Sequence, residues 1–307
     1  MKFRGRIVDI VCIQQLSKIV HTVSKLAKDV TLRITTDCVY FILNEDAVSG
    51  GGWLWADIPQ ETLFQEYNMQ GVSEEFNEIY LDVVADHIVK ALKSAAAAKS
   101  LKVKLTKRQT PCLSFEIELP SLVSTSRTVV HDVPVSVIPR RLWNNFAQPD
   151  VEEGDIVTHM PSLKVMKNVV DKMKNLSSYA TITISSDHGM TVSVQTDMVT
   201  VTTHFKGLQF PLSRDGTVSH DGVYEARIDL RKLVPVLLAQ QLNPRQVTCR
   251  DFSACRALPF QNIVRLICQG RVHAPSRHEK GRLRHAIKLV QEAPVWLQDR
   301  MAYSVEP

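Results

Sequence analysis

Rows of lysines on predicted helices are the residues of this sequence best suited to bind a ligand. Residues 161–175, PSLKVMKNVVDKMKN, place Lys164, Lys167 and Lys174 along one edge of a helix. An apolar stripe follows helical spacing on another side and consists of Leu163, Met166, Val170 and Met173. Ammonium groups that share an edge can contact phosphates, so this helix could face a polyanion. For one helix alone, a solvated lysine surface is the simpler interpretation.

The same arrangement recurs on further predicted helices. In residues 11–29 the basic side chains fall within one quadrant opposite the apolar residues, and residues 82–100 repeat this with two lysines. The helix predicted at 230–242 has two basic residues near its start, which is a weaker match. The predicted polyanion-facing residues are Lys18, His21, Lys25, Lys28, Lys90, Lys93, Lys164, Lys167, Lys174, Arg231 and Lys232.

The distribution of charge supports this interpretation more than the net charge does. The net charge is +5, and residues 250–307 hold 10 of the 37 Lys and Arg residues but only 5 of the 32 Asp and Glu residues. Residues 1–249 are therefore neutral overall, and their acidic residues lie largely on predicted strands and loops. Segregated positive charge attracts a polyanion, and contacts to phosphates carry no sequence code.

Several other groups of residues could do chemistry, but each has a simpler structural interpretation. These are the glycines 50–52, His273 with His278, Asp197 with His204, Glu116 with Glu118, and the acidic residues of 150–155. The glycines lack the lysine of a phosphate loop, the histidines lack a third metal ligand, and Asp197 and His204 lack a nucleophile. We therefore expect no catalytic site, no metal and no cofactor.

The sequence also limits the cellular compartments in which we expect the protein. No stretch reaches 18 apolar residues and the N-terminus lacks the apolar region of a signal peptide, so we expect neither a membrane partner nor secretion. The six cysteines form no CxxC pair and are typical of reduced thiols in the nucleus or cytoplasm.

The order of predicted elements indicates an α+β protein with two similar halves. Each half has a strand, a helix, several strands, a second helix and further strands, and tight turns between strands favour antiparallel sheets. We predict an N-terminal domain at 1–133, a connector at 134–154, whose prolines disfavour regular structure, and a C-terminal domain at 155–249. An arginine-rich tail follows at 250–307.

At residue level the chain resembles the Hus-type checkpoint proteins over about residues 1–249. The segments that carry the resemblance are MKFRGRIVD (1–9), NEIYLDV (77–83), ALKSA (91–95), KLTKRQTPCL (104–113), SRTVVHDVPVSVIPRRLW (126–143), LKVMKNVVDKMKN (163–175), VTTHFKGL (201–208) and IDLRKL (228–233).

The resemblance implies a fold and a function. It implies two sliding-clamp domains of similar topology, with antiparallel sheets outside and helices lining the inner surface. It further implies a non-catalytic nuclear subunit that forms the heterotrimeric nine-one-one clamp with two Rad-type subunits. A clamp loader places such a ring on double-stranded DNA, where it recruits checkpoint kinase signalling and repair factors. By their position on the helices, the basic residues named above would face the DNA.

The tail departs from this resemblance. Residues 250–307 show no clean alternation and no hairpin signal, and a short helix is predicted around LRHAIKLVQEA (283–293). We attribute the change to an altered exon or a shifted reading frame, with a genuine lineage extension as the alternative. If final strands are missing, the C-terminal sheet has an exposed edge, and we expect poor docking to one partner or low stability.

Other function classes stay open at this point. The chain could be a protein-interaction scaffold, or a truncated isoform that does not close a ring on DNA, and its lysines would then only be solvated. It could also be a nuclease or a self-associating ring.

Overall fold

The described residues of the first half form ten strands and three α-helices. The computed structural model describes residues 1–44, 52–120, 127–147, 156–185, 189–210, 223–244, 246–251, 261–268 and 285–292. The strands are β1 (Lys2–Ile7), β2 (Asp29–Ile34), β3 (Cys38–Asn44), β4 (Gly52–Pro59), β5 (Glu66–Gln70), β6 (Ile79–Val84), β7 (Ser100–Lys107), β8 (Pro111–Leu119), β9 (Arg127–Pro134) and β10 (Ser136–Val137). The helices are α1 (Ile10–Leu26), α2 (Gln60–Leu63) and α3 (Ala85–Lys93).

The second half repeats this order. A 3₁₀ helix at Arg140–Phe146 leads into it, and another at Leu238–Leu242 follows its last α-helix. The strands are β11 (Ile156–His159), β12 (Tyr179–Ser185), β13 (Gly189–Gln195), β14 (Thr200–Phe205), β15 (Val223–Asp229), β16 (Gln246–Asp251), β17 (Gln261–Cys268) and β18 (His285–Glu292). The helices are α4 (Leu163–Met173) and α5 (Leu230–Leu237).

The strands form three antiparallel sheets. Their orders are β5-β1-β7-β8-β9, β10-β6-β2-β3-β4-β18-β17-β16-β11 and β14-β13-β12-β15. The nine-stranded sheet belongs to both halves, because β4 of the first half pairs with β18 of the second, with Trp55 opposite Lys288. The prediction of an α+β fold with antiparallel sheets is confirmed, and the division of the chain at 133, 154 and 249 stays a prediction.

The prediction for the tail was wrong in the described part. Residues 261–268 and 285–292 are strands that pair with each other, and 285–292 is not a helix. Its alanine, leucine and lysine favour a helix locally, but pairing with β4 and β17 overrides that weak preference. The predicted exposed edge is also absent there, because β16 lies between β11 and β17.

Local sequence explains the start of α1, and tertiary pairing explains where the helices stop. The Asp9 carboxylate accepts a hydrogen bond of 2.8 Å from the Val11 backbone N–H, which caps the helix. The helix ends at Leu26, so Lys28 lies beyond it, and the carbonyl of Lys28 accepts from Ala85 N–H at 2.9 Å. The helix predicted at 82–100 begins only at Ala85, because Asp82 belongs to β6.

The helices pack into one layer. Helix α1 contacts α3 on one side and, across the domain boundary, α5 and the following 3₁₀ helix on the other, and α4 contacts α5. A hydrogen bond of 3.2 Å from Gln241 Nε2 to Thr22 Oγ1 joins the domains within this layer. Buried side chains of both domains form one apolar cluster beneath it, including Ile13 and Leu230. The layer order is therefore α3, α1, α5, α4.

The connector has more regular structure than its prolines suggested. Strand β10 pairs with β6, and the 3₁₀ helix begins directly after Pro139, a position where proline is tolerated because no N–H is needed. The Trp143 ring stacks on Tyr80 with centroids 4.6 Å apart, and Trp143 Nε1 donates to the carbonyl of Ile138 at 3.1 Å. These contacts fix the connector to the first domain.

Beneath the stack, an arginine holds the aromatic side chains in place. The Arg33 guanidinium lies 5.0 Å from the Tyr40 ring centroid and 5.7 Å from that of Tyr80, and it donates two hydrogen bonds of 2.8 and 2.7 Å to Glu78. The connector therefore rests on a charge-paired aromatic platform.

We expect Trp143→Ala to lower the free energy of unfolding by about 1–3 kcal/mol, because the stacking contact and the indole hydrogen bond are both lost. Urea denaturation of the purified chain measures this. Leu142→Ala is the matched control, because its side chain is 40% exposed in the same 3₁₀ helix and should change stability little. Equal losses in both variants would contradict the role of the stack.

Candidate nucleic-acid interface

Helix α1 presents its basic residues on the face opposite the core. Lys18 and Lys25 are exposed and His21 is half-buried, whereas Leu16, Val20 and Val23 on the other face are buried. Lys25 lies in the last turn, where a cation also interacts favourably with the helix dipole. The predicted division of this helix into a basic and an apolar face is therefore present, except that Lys28 is not part of the helix.

Helix α3 adds a second row beside the first. Lys90 and Lys93 are exposed in its last turn, and Ile88 and Leu92 are buried on the opposite face. Asp86 lies in the first turn on the same side as Lys90. Because α3 packs against α1, the basic faces of the two helices are neighbours.

Helix α4 carries Lys164 and Lys167, and Lys174 is its C-cap, but two of these three predicted lysines are already paired. Lys167 and Lys174 both donate to the Asp171 carboxylate, the latter at 2.9 Å. The hydrogen bonds from Lys167 and then Lys174 hold the pKa of Asp171 below its usual value. Lys164 is exposed and has no ion pair among the described residues. This edge therefore offers one free ammonium group and two ammonium groups that share a single carboxylate, which neutralises only half of their charge.

Helix α5 contributes least. Asp229 caps it by accepting from the Arg231 backbone N–H at 2.8 Å, and its carboxylate also accepts from Arg231 Nε at 3.2 Å and Nη2 at 2.9 Å. The guanidinium is thus engaged by its own helix cap. Lys232 is half-buried, and no ion pair to it occurs within the described ranges.

Ion pairs occur both on the sheets and in the helix layer, but several lysines of the helix layer have none among the described residues. On the sheets and adjoining turns, cations pair with carboxylates in Arg6–Glu66, Arg33–Glu78, Lys99–Glu118, Lys104–Glu116 and Arg108–Asp132. In the part of the chain that the structure describes, the helix lysines without an ion pair include Lys18, Lys25, Lys90, Lys93 and Lys164. The unneutralised charge of the helix layer is therefore positive.

Sequence reasoning missed two features that position this layer. The Thr22–Gln241 hydrogen bond joins residues from different domains, so no local pattern could reveal it. The pairing of Asp171 with two lysines could be predicted from the sequence, because spacings of three and four residues bring these side chains together on a helix.

The described residues give no support for a catalytic or metal site. No group of three or more His, Cys, Asp or Glu side chains lies close enough to hold a metal within these ranges. His204 shares a hydrogen bond of 3.0 Å with Thr191, Glu116 pairs with Lys104, and Glu118 accepts from Ser100. The segments 50–51, 150–155 and 269–284, which contain most of the other candidate groups, lie outside the described residues. Among the described helices, none is long and apolar enough to cross a bilayer.

Comparison with known proteins assigns the family. The sequence matches the family described as Hus1-like protein over residues 1–264. The chain belongs to the Hus1-like family. It is 43% identical over 255 residues to Checkpoint protein HUS1 of Homo sapiens, covering 81% of this chain and 90% of the human protein. It is 34% identical over 212 residues to Checkpoint protein Hus1-like of Drosophila melanogaster, covering 68% and 76%.

A solved structure supports the fold. Proliferating Cellular Nuclear Antigen from Entamoeba histolytica, a sliding clamp, superimposes with a TM-score of 0.67 over 94% of this chain and 98% of that chain, at 12% sequence identity. The Hus1-like chain thus has the predicted sliding-clamp fold of two α+β domains. The family match ends within β17, so the resemblance extends beyond residue 249.

We expect Lys167→Gln combined with Lys174→Gln to raise the pKa of Asp171 toward 3.8, because the carboxylate loses both donors. A lowered pKa adds stability that is present above the unfolded-state pKa and is lost as pH falls through the folded-state pKa. The double variant should therefore lose less stability than the wild type on acidification below about pH 4.

Carboxyl-carbon NMR titration of Asp171 measures the shift. Lys164→Gln is the control, because Lys164 is on the same helix but does not contact Asp171 in the structure. An unchanged titration in the double variant would show that the two lysines do not stabilise the ionised carboxylate.

Proposed function

We propose that this chain is a non-catalytic subunit of a heterotrimeric DNA-damage checkpoint clamp, and that its helix layer faces double-stranded DNA. The observation that carries the proposal is the row of unpaired lysines on α1, α3 and α4, on a sliding-clamp fold and in a chain of the Hus1-like family. Contacts from such lysines to phosphates hold a duplex without reading its sequence.

Internal repetition supports assembly with other clamp subunits. In the repeated order of elements, β14 corresponds to β4 and β9 corresponds to β18. Strands β4 and β18 pair across the domain boundary, whereas β14 and β9 are each at the edge of a sheet with one partner among the described strands. A neighbour of the same fold could complete both edges, which gives a head-to-tail contact of the kind that closes rings.

Helix α4 supports the same assembly. With the N-caps Asp9 and Ser162 aligned, Val23 of α1 corresponds to Leu176 just beyond α4. Val23 is buried, whereas Leu176 is 47% exposed, and Val165 on the same flank of α4 is 49% exposed. The side of α1 that contains Val23 is buried, whereas the corresponding side of α4 is exposed. This is expected for a surface that meets a helix of a second subunit.

The further roles follow from the family resemblance. We propose two Rad-type clamp subunits as partners, a clamp loader that places the ring on DNA, and checkpoint kinase and repair factors that the ring recruits in the nucleus. The alternative is a protein-interaction scaffold whose lysines are only solvated, and a DNA-binding test separates the two.

We expect Lys25→Glu with Lys93→Glu to weaken the binding of the assembled complex to a short DNA duplex, because two unpaired phosphate contacts become repulsive. The slope of log affinity against log salt should fall in magnitude by about 2, roughly 0.9 for each contact. Fluorescence anisotropy at several salt concentrations measures this.

The matched control is Lys2→Glu with Lys107→Glu, which changes net charge equally at exposed positions outside the helices and away from the edge strands β9 and β14. A complex that assembles normally and binds DNA equally well in all forms would favour the scaffold function and reject the DNA-facing assignment.

For assembly, we expect Val165→Glu with Leu176→Glu to reduce co-purification with the partner subunits, because two carboxylates would be placed in a contact that excludes water. The melting temperature of the isolated chain should not change, since both side chains are exposed. Val72→Glu is the control, because Val72 is 54% exposed in the turn after β5. Normal yields of complex from the double variant would exclude this flank of α4 from the interface.

A further inference from the structure

A second group of basic residues lies on the outward face of the sheet β5-β1-β7-β8-β9. Arg4 lies directly opposite Lys104 and Arg6 opposite Lys102, on the neighbouring strands β1 and β7. The residues that alternate with them are buried, namely Phe3, Ile7, Leu101 and Val103. We call Arg4, Arg6, Lys102 and Lys104 the outer cation cluster. It lies on the face of this sheet that is turned away from the core and the helix layer.

The direct pairing of like charges on β1 and β7 opposes the stability of the sheet, and Glu66 opposite Arg6 and Glu116 opposite Lys102 offset this only in part. Like charges directly across two strands repel each other, and the cluster contains two such pairs in succession. Strand pairing needs no charge at these positions, because outward positions accept any polar residue. Destabilising groups of this kind are commonly retained where they bind something.

Carboxylates from the flanking strands neutralise only half of the cluster. Glu66 of β5 pairs with Arg6 at 3.0 Å, and Glu116 of β8 pairs with Lys104 at 2.7 Å. Arg4 and Lys102 have no ion pair within the described residues, and they lie diagonally across the two strands. Two cationic groups on this face therefore remain available to an external anion.

Two further observations concern the centre of the cluster. Arg6 Nε is buried and has no hydrogen-bond partner, so one donor of the cluster is unused. The pKa of Glu66 is lowered by the hydrogen bond from Arg6, and the charges of Arg4 and Lys102 add to that effect. The positive charges of the cluster therefore act together on one small region, around β1 between its neighbours β5 and β7.

The size and the surroundings of the cluster argue against duplex DNA at this face. Residues two apart on a strand are separated by about 6.6 Å and neighbouring strands by about 4.8 Å, so the cluster matches a few closely spaced anionic side chains. On the far side, the carboxylates of Glu116, Glu118 and Asp132 on β8 and β9 are each paired with a cation, so this flank is close to neutral. A long phosphate backbone would gain little attraction from this flank, whereas a short segment needs only the cluster.

We propose that the outer cation cluster binds a short acidic segment of a partner protein, one that presents closely spaced carboxylate or phosphate groups. Arg4 and Lys102 contact the anionic side chains directly, and Arg6 and Lys104 keep their intramolecular partners. Because this face is separate from the helix layer, the proposal does not depend on the helix layer binding DNA.

The test uses the full chain and three short labelled peptides. The first alternates glutamate with serine, the second has phosphoserine in place of each serine, and the third has glutamine in place of each glutamate. Arg4→Gln with Lys102→Gln is the test variant, because it leaves both ion pairs of the cluster intact. Lys107→Gln with Lys206→Gln is the control with the same change of charge.

We expect both anionic peptides to bind the wild type and the control in fluorescence anisotropy, with affinity that falls as salt increases, and the neutral peptide not to bind. The affinity of the test variant for the anionic peptides should be lower by a factor of about ten or more, as expected for two lost charge-assisted contacts. Its melting temperature should stay the same or rise, because two repulsive pairs are removed, and a purely structural role would lower it.

Absence of binding by the wild type, or equal binding by the test variant, would overturn the proposal. Loss of affinity for a DNA duplex in the test variant, without loss for the peptides, would assign the cluster to nucleic acid and would overturn it as well. Neither result would alter the expected effect of Lys25→Glu and Lys93→Glu, so a failure here is distinct from a failure of the proposed clamp function.

Discussion

The antiparallel pairing of β4 with β18 determines how the two domains of this protein sit together. It extends one sheet through both domains, from β10 to β11, and the helices of both domains contact one another in a single layer. Helix α1 then lies against α5, and Gln241 reaches Thr22. The neighbouring basic faces of α1 and α3 are therefore set within a layer whose continuity depends on strand pairing between domains.

The sequence predicts the local part of this structure well and the non-local part poorly. The apolar stripes of α1 and α4 follow from helical spacing, because side chains three and four residues apart share a face. The sequence predicts that α3 starts at Asp82, but this residue lies in β6, where the pairing with β2 decides its conformation. Local sequence predicts a helix at residues 285–292, because the strand that pairs with them, β4, lies near the other end of the chain and leaves no local signal.

The basic residues of the helix layer also have features that the sequence predicts and features that depend on tertiary geometry. Which lysines lie opposite the core could be predicted, because this depends only on the residues of one helix. Which of them are neutralised depends on geometry, as in the capture of Arg231 by the capping carboxylate of Asp229. The boundary between helix and turn matters as well, because Lys28 shares the angular position of the α1 lysines but lies outside the helix. The predicted residues are thus unequal in the charge that they can offer.

That inequality has a consequence for any polyanion that meets this protein. A lysine already bound to a carboxylate must exchange that carboxylate for a phosphate, so it adds little to the free energy of binding a polyanion. An unpaired exposed lysine loses no such partner and only releases counterions. Lys18, Lys25, Lys90, Lys93 and Lys164 are in the second class within the described residues. On the outer sheet, the exposed Arg4 and the half-buried Lys102 are likewise without an ion pair among the described residues. These two groups lie on opposite sides of the apolar core. An anion held at one group therefore leaves the other accessible, which is the arrangement that a ring requires if it surrounds one partner and recruits others from outside.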